Sequence, residues 1–137
     1  MYLLDTNVIS ELRRPKPHGA VLDWLNAIPD TDLFISAVTI GEIQSGIERT
    51  RKTDPAKSAA LELWADQIES VYEGLPVTSE IFRLWARLTR GKAGGGYEDA
   101  MIAATALVHG LTMVTRDVRD FERFGVTILN PFNGRGS

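Results

Sequence analysis

The sequence predicts an α/β sandwich built on a mostly parallel sheet, and three observations point there. Short apolar runs ending in polar residues recur at residues 2–4, 33–36 and 113–115, as in strands buried on both faces. Between them apolar residues return at helical spacing. The two patterns alternate along the chain, the order expected of a layered α/β domain. At 137 residues the chain is one domain with room for a substantial core.

Taken in order, residues 2–4 form the first strand, and a short helix starts near Asn7. After Pro17, the stripe Val21, Trp24, Leu25 and Ile28 predicts a helix. Residues 33–36 are the second strand, followed by a helix carrying Ile40, Ile43 and Ile47. Leu61, Trp64, Ile68 and Val71 mark the next helix, and a weaker strand is expected at residues 75–77. Ile81, Trp85 and Leu88 form another stripe, and Trp24, Trp64 and Trp85 read as core residues. From Met101 to Val108 the chain is apolar on nearly every side, which predicts a buried helix carrying Asp99 into the protein at its N-terminal end. Residues 113–115 and 126–129 supply the last strands, closed by Asn130 and Pro131. There is no internal repeat or linker, so residues 1–131 are expected to form the domain and 132–137 a C-terminal tail.

The 44% hydrophobic and 24% charged content is ordinary for a globular domain. Without cysteine, thiolate catalysis, disulfides and cysteine-ligated metals are excluded. The N-terminus has no basic, apolar leader, and no run approaches the roughly 18 apolar residues of a membrane span, so the cytoplasm is the expected compartment. Net charge is −3, yet basic residues gather at Arg13, Arg14 and Lys16, at Arg49, Arg51 and Lys52, at Arg83, Arg87, Arg90 and Lys92, and at Arg116, Arg119 and Arg123. Such clusters either track phosphates or simply complement helix ends. Arg49, Arg87, Arg90 and Arg116 are the candidate nucleic-acid contacts.

Four acids stand where strands and helices begin or end: Asp5, Glu42, Asp99 and Asp117. Gathered at one point, such acids repel one another by roughly 4 kcal/mol per close pair, and a divalent cation is the simplest remedy. All-oxygen ligands suit Mg²⁺ or Mn²⁺. In parallel sheets ligands bind beyond the carboxyl ends of the strands, where Asp5 and Asp117 fall. Thr6, Ser36 and Thr115 are hydroxyl residues at strand ends, suited to orienting a carboxylate. Asp120 and Glu98 are neighbours that could support or replace a ligand.

Each residue also has a structural alternative. Asp5 and Asp99 can cap or charge-complement helices, Glu42 can be a solvated helix residue, Asp117 a turn residue and Ser36 a helix cap. His18 and His109 raise metal-free acid–base chemistry, but one lies in a Pro-bounded loop and the other near the end of the buried helix. The glycines at 94–96 lack the context of a phosphate-binding loop and instead give the backbone freedom before Asp99.

The segments LLDTNVISEL, SAVTIGEIQSGI and DAMIAATALVHGLTMVTRDVRDF, with the closing Asn130-Pro131, resemble the PIN-domain family. Within it they are most similar to VapC-type toxins, including the FitB-like branch. The resemblance runs from the first strand to Pro131. It implies a three-layer fold with a five-stranded sheet ordered 3-2-1-4-5, and metal-binding acids at Asp5, Glu42, Asp99 and Asp117 holding one or two Mg²⁺ or Mn²⁺ ions. It also implies a toxin endoribonuclease leaving 5′-phosphate and 3′-hydroxyl ends, a homodimer, and a VapB- or FitA-like antitoxin through which DNA is contacted. Two departures stand out: the lead-in to Asp99 is Gly-rich rather than polar, and the fourth position, often Asn in the FitB-like branch, is Asp. Two rival readings are a DNA-bound regulatory subunit with vestigial nuclease activity, and a haloacid-dehalogenase-like phosphatase. The latter is weakened because Asp5-Thr6-Asn7 lacks a second Asp.

Overall fold

The computed structural model describes residues 1–90 and 96–133. Five strands, β1 (Tyr2–Leu4), β2 (Leu33–Ser36), β3 (Glu73–Leu75), β4 (Thr112–Val114) and β5 (Ile128–Leu129), form one sheet in the order β3-β2-β1-β4-β5. Every pairing is parallel. The expected third strand is displaced by two residues: β3 ends at Leu75 because Pro76 has no N–H to continue the ladder. The last strand is also shorter than expected, residues 128–129 rather than 126–129.

Seven α-helices cover the sheet among the described residues: α1 (Thr6–Ile9), α2 (Gly19–Ala27), α3 (Ala37–Arg51), α4 (Pro55–Val71), α5 (Ser79–Thr89), α6 (Tyr97–His109) and α7 (Val118–Glu122). Their ends follow local chemistry. Ser36, Asp54 and Thr78 cap α3, α4 and α5 by accepting from backbone N–H groups, with Pro55 at the start of α4. Gly110 ends α6 in the left-handed conformation, with φ of 66°. The short α7 escaped the periodicity reading, since five residues cannot establish a helical stripe.

Strand alternation divides the core. Leu3 and Met113 face α6 and α7, meeting Ala100, Ala103, Ala106 and Phe121. Leu4 and Val114 face the other way, toward Val8, Val21, Leu25 and Ile68 of α1, α2 and α4. The result is the three-layer arrangement that the resemblance implies. Helix α6 is buried from Ala100 through Ala106, as its uniform apolarity predicts. The three tryptophans are only partly buried, at the margins of these clusters rather than inside them. Phe132, expected in the tail, sits in a 3-10 turn (Pro131–Asn133) and packs against the α1/α2/α4 core. No helix among the described residues is long and apolar enough to cross a membrane.

Leu4 is fully buried in the central strand. Leu4→Ala should lower unfolding free energy by about 2–5 kcal/mol in urea denaturation; a loss below ~1 kcal/mol would contradict this packing.

Candidate active site at the carboxyl edge of the sheet

Strands β1 and β4 lie side by side, but the chain leaves β1 toward β2 on one flank and leaves β4 toward β5 on the other. A crevice therefore opens beyond their carboxyl ends. Asp5 follows β1 directly, with its N–H bonded to the Val114 carbonyl at 2.9 Å, and Thr115 follows β4, bonded to the Leu129 carbonyl at 3.1 Å. The sheet thus fixes the backbone of both residues.

Asp5 is only 6% exposed and has polar donors of its own. Its Oδ1 accepts from the Thr6 N–H at 2.8 Å, and its Oδ2 accepts from the Thr115 hydroxyl at 2.7 Å and the Asn7 amide at 3.3 Å. Helix capping and site formation are therefore one arrangement, since Asp5 is also the N-cap of α1. Glu42, partly buried on α3, accepts from the Thr6 hydroxyl at 2.9 Å. Asp117 is exposed, and its Oδ2 accepts from the Asn7 amide at 3.1 Å. Asp99 enters from the first turn of α6.

Asn7 is the residue that the sequence reading missed. Its amide nitrogen reaches Asp5, Asp117 and, at 3.4 Å, the Thr115 hydroxyl, while its carbonyl oxygen accepts from the Arg116 N–H at 3.3 Å. The signal was its place two residues after Asp5 in a helix of one turn, where Asp5, Thr6 and Asn7 all project from the same edge.

The carboxylates influence one another without merging. Burial raises the Asp5 carboxyl above its ordinary range, opposed by the bonds from Thr115 and Thr6, with repulsion from Asp117 and Asp120 adding to the rise. Burial also raises Glu42, opposed by the Thr6 bond and reinforced by Asp5, Glu98 and Asp99. Asp99 is pushed up to about 6, first by burial, then by Asp5, Asp120 and Asp117, with Arg123 pulling the other way. Among the described residues no group of three or more acids is drawn together closely enough to hold an ion. Asn7 instead donates to both Asp5 and Asp117, and Thr6 to both Asp5 and Glu42, while Asp99 accepts no side-chain hydrogen bond among the described residues.

The other candidates divide. The Ser36 hydroxyl is committed to capping α3 through the Val38 N–H at 3.0 Å. Asp120 and Glu98 are exposed at the same edge, near enough to bear on Asp99 and Glu42 respectively. Arg49 flanks Glu42 and borders a groove of about 430 Å³ that also touches Thr6, Arg13 and Trp64. Arg87 lies with Glu80 and Arg83 along α5, and Arg90 closes that helix with φ of 53°. The Arg116 guanidinium stacks on the Phe132 ring, 3.8 Å from its centroid. Of the glycine-rich lead-in, Gly96 is described and residues 91–95 lie outside the described range.

Residues 2–126 match the PIN domain family. The chain belongs to that family. Among its PIN relatives, a protein of Sinorhizobium fredii named VapC ribonuclease is 36% identical, covering 96% of this chain and 98% of its own. Toxin FitB of Neisseria gonorrhoeae is 35% identical, covering 97% and 99%. The crystal structure of FitAcB from Neisseria gonorrhoeae superposes with a TM-score of 0.84 at 34% identity, over 96% of this chain and 99% of that one. A structure of FitAB bound to a DNA fragment gives 0.83 at 34% identity, over 96% of each chain.

A raised carboxyl pKa means that folding penalises the ionised form. For Asp99 the penalty is absent below the ordinary value of 3.8, grows as pH rises, and is complete above about 6. Metal-free Asp99→Asn should therefore melt above the wild type at pH 7.5, with the gap closing as pH falls from about 6 toward 4. Melting curves across that range check this; a gap independent of pH would remove the assigned cause.

Proposed function

We propose that this protein is a divalent-metal-dependent endoribonuclease, acting as the toxin of a toxin–antitoxin pair. The observation that carries the reading is the coupling of Asp5, Glu42, Asp99 and Asp117, from four separate segments, at the crevice beyond β1 and β4. The ribonuclease and toxin names of its full-length relatives support the same reading. A purely regulatory subunit gains nothing from acids whose ionisation the fold resists.

The donor types suit a hard cation, which would draw the separated acids together. The set is all oxygen, it carries more negative charge than nearby donors neutralise, and Asp5 is already fixed by three hydrogen bonds. Mg²⁺ or Mn²⁺ held by Asp5, Glu42, Asp99 and Asp117 would supply positive charge to the attacked phosphate and activate water as the nucleophile. Thr115 and Asn7 keep Asp5 and Asp117 in register across the strand gap, and Thr6 turns Glu42 toward it. In-line attack by water breaks the bond to the 3′ oxygen, leaving a 5′-phosphate and a 3′-hydroxyl.

Histidine chemistry has no support in the geometry. His109 stands ten residues beyond Asp99 at the far end of α6, about 15 Å along the axis. His18 packs its ring against Phe132, with centroids 5.1 Å apart.

The antitoxin would be VapB- or FitA-like, with DNA contacted through it, and the toxin would work as a homodimer. The sequence reading and the FitAB structures that the chain resembles support this partner.

Antitoxin-free protein with Mg²⁺ or Mn²⁺ should cut total RNA at a few positions, leaving 5′-phosphates and 3′-hydroxyls. EDTA should stop it, and Asp99→Asn should slow it on the order of 100-fold or more. Sequencing of the product ends decides: cyclic phosphates, or cutting that survives EDTA, would defeat the metal scheme.

A further inference from the structure

An acid crevice that acts on RNA must admit a polyanion, and its own carboxylates work against that. A cation beside the acids, not consumed by them, would relieve the conflict. The basic residues flanking the crevice differ in how they meet this need. The Arg116 guanidinium is carried onto Phe132, although its backbone joins the site through Asn7. Arg49 donates to Ser45 at 2.9 Å on the Glu42 flank.

Arg123 is placed differently. It directly follows α7, and its Nε donates to the Asp120 carbonyl at 3.1 Å. Its guanidinium lies over the Phe124 ring, 4.4 Å from the centroid. One terminal nitrogen rests against Gly96, in space that a Cβ at that position would occupy. Gly96 is the N-cap of α6, with φ of 89°, a conformation that favours glycine. Three contacts thus bring the fork to the start of the helix that carries Asp99. Although Asp99 and Asp120 are near, Arg123 forms no ion pair among the described residues. Its terminal nitrogens make no hydrogen bond to a described acceptor.

We propose that Arg123 is a substrate-binding residue whose guanidinium takes the non-bridging oxygens of the RNA phosphate at the acid crevice. This rests on the ribonuclease reading above. A planar guanidinium whose terminal nitrogens bond no described acceptor can meet a phosphate bidentately, which a lysine ammonium does not. The ring of Phe124 and the carbonyl of Asp120 hold the fork in place, so little freedom is lost when RNA binds.

The test compares wild type, Arg123→Lys and Arg123→Gln on a single-stranded RNA spanning a site that the wild type cuts in total RNA. Cleavage by Arg123→Gln should fall on the order of 10- to 100-fold in kcat/KM, with Arg123→Lys between it and wild type. Binding of the same RNA, measured by fluorescence anisotropy in the Asp99→Asn background, should lose about 0.7 from its log–log salt slope when Arg123 becomes Gln. Wild-type cleavage rates in either variant would overturn the proposal. So would slower cleavage by Arg123→Gln with an unchanged salt slope, because a residue that merely props the fold does not alter the count of phosphate contacts. Arg123→Lys keeps the charge, so it reports loss of the fork even where Gln lowers the melting temperature. A wild type that cuts no RNA with metal present would instead defeat the ribonuclease reading itself.

Discussion

A carboxylate with 6% exposure at the end of the central strand is the constraint on which the site depends. Removing an ionised Asp from water costs several kcal/mol unless hydrogen bonds replace the solvent. Asp5 finds those bonds in Thr6, Asn7 and Thr115, which belong to two strand ends more than a hundred residues apart in sequence. The register of β1 against β4, pairing Leu4 with Val114, places the Thr115 hydroxyl within reach. A slip of one residue would turn that hydroxyl to the opposite face and leave Asp5 without its shortest bond. Sheet register and site integrity are therefore one requirement.

The same edge works against the stability of the fold. Burial and mutual repulsion disfavour ionisation of Asp5, Glu42 and Asp99, and the bonds from Thr115 and Thr6 and the charge of Arg123 offset this only in part. A protein selected only for stability would replace Asp99 with Asn or Ala, either of which fits just before the buried stretch Ala100–Ala106. Local conflict of this kind, in a chain whose caps and strands otherwise agree with its fold, is what the proposed metal site would require.

Much of this was legible in the sequence because the signals are short-range. Apolar runs gave β1, β2 and β4, and uniform apolarity gave the burial of α6, since both patterns arise directly from which faces meet the core. The strand β3 slipped because Leu75 is its only buried residue, so composition could not fix its register, and only the missing N–H of Pro76 sets its end. The acids were recognisable by their places at element ends. Asn7 was not, because an amide after an acid and a threonine reads as ordinary turn chemistry. Its importance comes from Asp117 and Thr115, which the fold delivers from β4.

Arg123 shows the same limit from the other side. As one of three arginines between residues 116 and 123 it had no distinguishing mark in sequence, and Arg116, adjacent to Asp117, looked the better candidate. The fold reverses that order. Phe132, which the sequence assigned to a tail, packs on the core and draws the Arg116 guanidinium onto its own ring. The turn after α7 brings Arg123 back to Gly96. Adjacency along the chain places a backbone, whereas the direction of a long side chain is decided by the aromatic and carbonyl groups that it meets. For flexible cations, therefore, proximity in sequence to an acid is weak evidence of a shared site, and the packing partners of the guanidinium are the stronger guide.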